Sequence, residues 1–167
     1  KKFFEATEKL LKNICSKGIY DHLGGGISRY TVDNKWVVPH FEKMLYDNIL
    51  FVRLLNFYVE NTKNEYFKSK LIQSINFIHK EFNNDDNLLG SAYDADSEGI
   101  EGKYYIWKYQ EIKNILKDKF ELFKKKYEIS EGGNFEGNNI LVERSEIILN
   151  DTELEVIKQI ENKLLEE

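Results

Sequence analysis

The chain has 167 residues, 41% hydrophobic and 32% charged, with a net charge of −5. That is enough apolar material for one domain core and too much for a disordered tail. Both charge signs are mixed along the chain, which speaks against a nucleic-acid partner. The longest apolar runs fall far short of a membrane span, and no signal peptide opens the sequence. The single cysteine, Cys15, leaves no internal disulfide and fits a reducing, cytoplasmic setting.

In chain order, residues 2–17 read as a helix. Phe3, Leu10 and Ile14 form one stripe, with Phe4, Leu11 and Cys15 beside it, and Gly18 is the stop. Cys15 follows Leu11 at helical spacing and reads as a packing residue. Residues 27–37 read as a β-hairpin. Ile27, Tyr30 and Val32 lead into Asp33-Asn34, and Trp36, Val37 and Val38 lead out. Pro39 suits the first turn of a long helix, where its missing N–H costs nothing. Phe41, Met44, Leu45, Asn48, Val52, Leu55 and Val59 keep a 3.6 period to about Asn61.

A third helix is expected over 64–82, with Phe67, Leu71, Ile75, Ile78 and Phe82 on one face. The turn-rich stretch NNDDNLLGSAYDADSEGIEGKYYIW follows and ends in an aromatic strand, Tyr104 to Trp107. Helices resume over 109–127, and SEGGNFEGNNILV is a second glycine-rich loop. The last helix starts near Asp151, where Asn150 and Glu153 offer a capping box. The pattern predicts a mainly α fold of antiparallel helical hairpins with short β-hairpins near 27–38 and 88–107. Its two ornate loops should lie at one end of the helices.

The segment YDHLGGGISRYTVDNKWVVPHFEKMLYDN concentrates the unusual residues: three consecutive glycines, two of the three histidines and the only proline. No Gly-Lys-Ser/Thr follows the glycines, so a phosphate loop is not expected. The glycines fit a tight connection or a close backbone approach at a site. Tyr20, Asp21 and His22 precede them; Arg29, Tyr30, Trp36 and His40 follow. On the helix expected after Pro39, His40, Lys43 and Asp47 occupy neighbouring directions at the border of the apolar stripe. That position suits a helix lining a cleft, and equally a solvated face of paired charges. At a helix start the dipole disfavours positive charge on His40, and a neutral imidazole can serve as a general base.

Asp94, Asp96, Glu98, Gly99 and Glu101 are similar in spacing to the start of a calcium loop. The twelfth position from Asp94 is Tyr105, however, where such a loop needs a bidentate Glu, and no metal is assigned. Paired acids for sugar hydroxyls or proton transfer fit the stretch, as does a plain acidic turn. Tyr104, Tyr105 and Trp107 then alternate as in a half-buried strand, able to stack on a sugar ring or to fill a core. His79, beside Ile78 and far from both loops, reads as structural or surface.

The motifs YDHLGGG, RYTVD, KWVVPHFEKMLYDN, DADSEG, EGKYYIW and GGNFEGNNIL resemble, in order and spacing, the spermatogenesis-associated protein 20 family. Its bacterial members are highly conserved proteins containing a thioredoxin domain. The matching segments run from about Gly18 to Leu141. The resemblance implies a thioredoxin-like domain followed by an (α/α)6 toroid, similar to N-acylglucosamine 2-epimerases and six-hairpin glycosidases. This chain has no Cys-x-x-Cys and too few helices for such a toroid. Residues 1–167 are therefore expected to be one segment of it. The thioredoxin-like domain of the same full-length protein is the expected neighbour, and an exposed apolar flank is expected to drive self-association. Two positions depart from the family pattern. Ile27-Ser28 stands where many relatives carry an aromatic–His pair, and Lys108 where a Ser or Thr helix cap is common.

Three functions follow. The first is epimerase-type sugar chemistry, with His22 and His40 on opposite faces of the substrate and Arg29 stabilising an enolate. The second is glycoside hydrolysis by two carboxylates drawn from Asp21, Glu42, Asp94 and Asp96. The third is a non-catalytic toroid that binds a glycan or a protein and is coupled to redox through its neighbour. A carbohydrate-binding cleft is the preferred expectation. Tyr20, Asp21, Trp36, Glu42, Lys43, Asp47, Glu98, Tyr104 and Trp107 are the candidate binding residues, His22, Arg29, His40, Asp94 and Asp96 the candidate catalytic ones. No cofactor is implied.

Overall fold

Helix α1 (Lys2–Ser16) is amphipathic, but the side it buries carries Leu11 and Cys15, while Phe3 is 92% exposed. The flank of the expected stripe, not its centre, faces inward. A computed structural model describes residues 2–83, 88–145 and 147–167. Part of the turn-rich stretch expected after the third helix, residues 84–87, lies outside the described residues. Helices α2 (Leu45–Thr62) and α3 (Glu65–Glu81) form an antiparallel hairpin. Lys63 closes α2 in a left-handed conformation, its N–H donating to the Val59 carbonyl at 2.8 Å. Asn64 caps α3 by accepting the Phe67 N–H at 3.3 Å. Leu11, Cys15, Tyr20, Phe51, Leu55, Tyr58, Phe67 and Leu71 make the core of this half.

The chain does not turn helical at Pro39. Val32 N–H donates to Val38 O, His40 N–H to Tyr30 O and Arg29 N–H to Glu42 O, each at 2.9–3.0 Å. Pro39 itself bridges Thr31. The expected hairpin is therefore real in kind and displaced in extent: its return arm runs from Val38 to Glu42. Asp33 holds the turn, accepting from the N–H groups of Lys35, Val37 and Val38. Proline tolerates this ladder position because it sits at an edge, where its missing donor is not needed. His40, Lys43 and Asp47 consequently do not share a helix; only Asp47 is helical.

Strand β1 (Lys43–Met44) pairs antiparallel with β2 (Ala92–Tyr93). β3 (Asp96–Ser97) and β4 (Ile100–Glu101) form a hairpin. Its two central residues, Glu98 (φ 55°) and Gly99 (φ 75°), have the positive φ of a type I′ turn. A 3₁₀ turn, Lys103–Tyr105, replaces part of the expected aromatic strand. β5 (Ile106–Trp107) then pairs with β6 (Asn139–Ile140).

In the second half, α4 (Tyr109–Leu116) and α5 (Phe120–Lys126) replace the continuous helix expected over 109–127, because Lys117 turns to φ 51° between them. Glu111 accepts the Lys108 N–H at 3.3 Å, so α4 starts without a Ser or Thr cap. Helix α6 (Asp151–Leu165) starts at the expected capping box, with both Asn150–Glu153 bonds at 2.9 Å. These helices close a second core around Ile112, Phe120, Phe123, Tyr127, Ile157 and Ile160.

The two halves are stitched by the segment Asn139 to Glu143, every residue of which is buried. Glu143 N–H donates to Ser16 O, Glu128 N–H to Val142 O and Arg144 N–H to Lys126 O, all within 2.8–2.9 Å. The two ornate loops lie at the same end. β1 meets β2, and Phe41 stacks on Tyr105 with ring centroids 5.7 Å apart. The fold is mainly α with short antiparallel strand pairs in its loops.

Candidate functional site

The glycine triplet answers to packing. Gly26 has φ 79°, and a Cβ there would strike the Phe77 ring and the Asn48 side chain. Asn48, fully buried, holds the same loop by accepting the Ile27 N–H at 2.8 Å. Its amide donates to Ile27 O at 3.0 Å and Met44 O at 2.9 Å. The loop from Tyr20 to Ser28 is thereby pressed onto α2 and α3.

Asp21 sits at the centre of that loop. Its Oδ1 accepts the N–H groups of Leu23 and Gly24 at 3.0 and 2.9 Å, and its Oδ2 accepts from Lys43 Nζ at 2.7 Å. Burial alone would raise the Asp21 carboxyl, but the Lys43 ammonium and the loop N–H groups outweigh it and hold its pKa below the ordinary value. Lys43 is only 2% exposed. It also donates to Gly25 O at 2.9 Å and lies over the rings of Phe77 and Tyr105. It acts beneath the loop rather than in a cleft.

His22 is sealed. Its Nε2 lies 3.1 Å from Lys17 O, which can only accept, so Nε2 carries a proton. Burial and the Lys70 ammonium lower the ring's pKa, so Nδ1 is unprotonated and accepts from Lys70 Nζ at 3.3 Å. Glu143 Oε1 lies 3.4 Å from the same nitrogen, and the ammonium completes a triangle with the two. Glu143 is the hub of this network. It accepts from Lys70 Nζ at 2.9 Å and Tyr66 O–H at 2.8 Å, and Lys126 stands 3.6 Å away. Burial opposes its charge, yet Lys70 and Lys126 hold its carboxyl well below the usual range. Lys126 in turn pairs with Glu161 of α6 at 2.7 Å. Tyr20 sends its O–H to Gln73 Oε1 at 2.8 Å, also inward.

Above this network lies a cavity of about 420 Å³. Its walls are the backbone and Asp21 of the first loop, Ser28, the aromatic run Tyr104, Tyr105 and Trp107, and Leu164 and Leu165 of α6. Glu98, Lys103 and Glu111 stand among its polar lining residues, with Lys103 paired to Glu98. Of the expected site residues, Tyr20, Asp21, His22, Glu98, Tyr104 and Trp107 border this space.

The others lie elsewhere. His40 stacks on Tyr30 at 4.8 Å and places Nδ1 3.4 Å from Glu101. Arg29 pairs with Glu42 at 3.3 Å on the surface. Asp47 Oδ2 is shielded without a hydrogen-bond partner among the described residues, and burial raises that carboxyl. Asp94 and Asp96 are exposed on the acidic hairpin, and Trp36 (φ 64°) belongs to the Asp33 turn. Among the described residues, no three His, Cys, Asp or Glu side chains converge as a metal site. No described helix is long and apolar enough to cross a membrane.

Sequence reasoning missed Lys70 and Glu143, whose partners are 48 and 73 positions from Lys70. A buried Lys on α3 carries no local mark. Glu143 follows the apolar run Ile140-Leu141-Val142, and that run is the one signal that the stretch returns through the interior. Glu111 and Lys103 carry no local mark that would single them out in the sequence.

The mainly α chain, with its loops gathered over one cavity, matches no protein-family model. It is nevertheless similar in sequence to spermatogenesis-associated protein 20. The human protein is 29% identical over 160 residues, covering 80% of this chain and 20% of that protein. The mouse protein is 28% identical over 186 residues, covering 93% of this chain and 24% of that protein. An uncharacterised protein of Caenorhabditis elegans is 30% identical over 142 residues, covering 76% of this chain and 20% of its own length. The chain thus spans about a fifth to a quarter of the curated relatives it matches.

Proposed function

We propose that this chain is a segment of a cytoplasmic, spermatogenesis-associated protein 20-like helical toroid, and that its cavity binds a carbohydrate. The observation that carries the reading is the lining. Tyr104 and Trp107 supply ring faces, and Asp21 and Glu98 supply acceptors, around a space of about 420 Å³. Aromatic and aliphatic side chains interleaved with placed polar groups can hold a small molecule, and 300–1,000 Å³ is roughly the usual size. Hydroxyl-rich rings suit it, because one face stacks while the edge meets carboxylates.

Binding is favoured over epimerisation or hydrolysis. His22 has both ring nitrogens engaged and His40 borders the acidic hairpin, so the two imidazoles do not face one another across the cavity. Of the four carboxylates considered for hydrolysis, Asp21 alone lines it. The apolar residues Tyr46, Ile49, Leu50 and Phe57 are exposed along one side of α2. That face is where the rest of a longer protein, or a second copy, would pack. Isothermal titration with neutral monosaccharides tests the binding reading. Saturable heat that falls in Tyr104→Ala and Trp107→Ala is expected; a wild-type protein silent to all of them would overturn it.

A further inference from the structure

The charges around the cavity are uneven. Four carboxylates line it, from Asp21, Glu98, Glu111 and Glu167, against one ammonium, from Lys103. Lys103 is paired with Glu98, and Lys43 neutralises Asp21 from beneath the loop. Two negative charges, Glu111 and Glu167, are left without a side-chain cation among the described ion pairs. Glu111 also accepts the Lys108 N–H, which fixes its carboxylate at the start of α4. The aromatic wall has the same electrostatic sense, since the face of Tyr or Trp is negative and attracts a cation. The chain already uses this attraction: the Lys43 ammonium lies 4.8 Å from the Tyr105 ring centroid.

We infer that the cavity selects for positive charge. Its ligand is a hydroxyl-rich molecule bearing an ammonium group, an amino sugar in its protonated form, with neutral sugars weaker and phosphorylated sugars or uronic acids rejected. This rests on the carbohydrate reading above and sharpens it. The ammonium is placed between Glu111 and the Trp107 ring side of the cavity, and the hydroxyls toward Asp21. An anionic sugar would bring a third uncompensated negative charge into the same space, which repels it before any contact forms.

The test is a titration of the 167-residue chain at pH 6.5 and low salt with four probes: glucosamine, glucose, glucose 6-phosphate and choline. Glucosamine is expected to bind about fivefold tighter than glucose, as one charge met at high dielectric implies, and glucose 6-phosphate most weakly. The preference for glucosamine over glucose should shrink in Glu111→Gln and in high salt. If glucose 6-phosphate binds as tightly as glucosamine, charge selection is wrong and the carbohydrate reading stands. If choline binds and no sugar does, charge selection stands and the carbohydrate reading falls. If none of the four binds, both fall.

Discussion

Residues 20–28 and residues 29–42 are neighbours in the chain and each carries an acid, a histidine and a tyrosine, yet they live under opposite rules. In the first, Tyr20 and His22 turn their polar atoms into the interior, and Asp21, at the cavity wall, is held by Lys43 and two loop N–H groups. In the second, Arg29, His40 and Glu42 keep theirs at the surface in loose pairs of 3.3–3.4 Å. The shared acid, histidine and tyrosine do not separate the two. Asn48 and the glycine triplet do, by clamping the first loop against α2 and α3. The same kinds of side chain are therefore framework in one loop and solvated surface in the next.

The contrast can be broken hardest at Glu143. Glu143→Ala would leave Lys70, 7% exposed, and Lys126 without their shared anion. Breaking a buried pair costs about 3–5 kcal/mol, a large part of a typical domain's stability. The half-buried surface counterpart, Glu42→Ala, should cost roughly 0–1 kcal/mol. Urea unfolding of the two variants measures the gap, and equal costs would contradict the distinction between the loops.

Next in size are the clamps. Gly26→Ala forces a Cβ into Phe77 at positive φ, and Asn48→Ala orphans the Ile27 backbone groups. Each should cost about 1–3 kcal/mol, and both should loosen amide-exchange protection in 20–28 while leaving 29–42 as it was. Uniform loosening would show that the loops are held as one unit.

Acid sharpens the comparison further. The folded pKa of His22 is lowered from the ordinary 6.5, so the unfolded chain takes up that proton first as pH falls. Stability should therefore decline from just above pH 6.5 downward by at most about 1.4 kcal/mol per pH unit for this one group. Asp21 and Glu143, also lowered, add to the loss once pH falls into the ordinary carboxylate range, where the unfolded chain takes up their protons first. His22→Gln should flatten the first part of the profile and leave the second. A profile unchanged by His22→Gln between pH 7 and 5 would refute the sealed, neutral imidazole. A small effect is expected at His40, where His40→Ala removes a surface stack worth about 0.5–1.5 kcal/mol at most and should leave ligand binding intact.

The helices were legible because burial repeats locally. The period of α3 and the Asn150–Glu153 capping box place their elements to within a residue or two. The start of α2 was not. Phe41 and Met44 extend its apolar period backward, yet β1 takes Lys43–Met44 into pairing with a strand some fifty residues on. Long-range pairing overrides a local pattern there. The candidate site was half legible. Asp21, Glu98, Tyr104 and Trp107 are marked by type and by turn residues around them. Lys70 and Glu143 are marked by nothing local, since their roles exist only once α3 and the 139–143 segment meet. His40 shows the converse: a rare residue in a dense motif, placed by the ladder outside the cavity.

The chain has two tryptophans, one beside the cavity that the first loop helps to wall and one in the second loop. Trp107 borders the cavity, and Trp36 belongs to the turn of the second loop. Indole N–H signals report the two separately in a nitrogen-15 spectrum. Titration with glucosamine should move the Trp107 signal along a saturable curve and leave Trp36 where it is. A shift confined to Trp36 would place the ligand on the exposed loop and contradict the account.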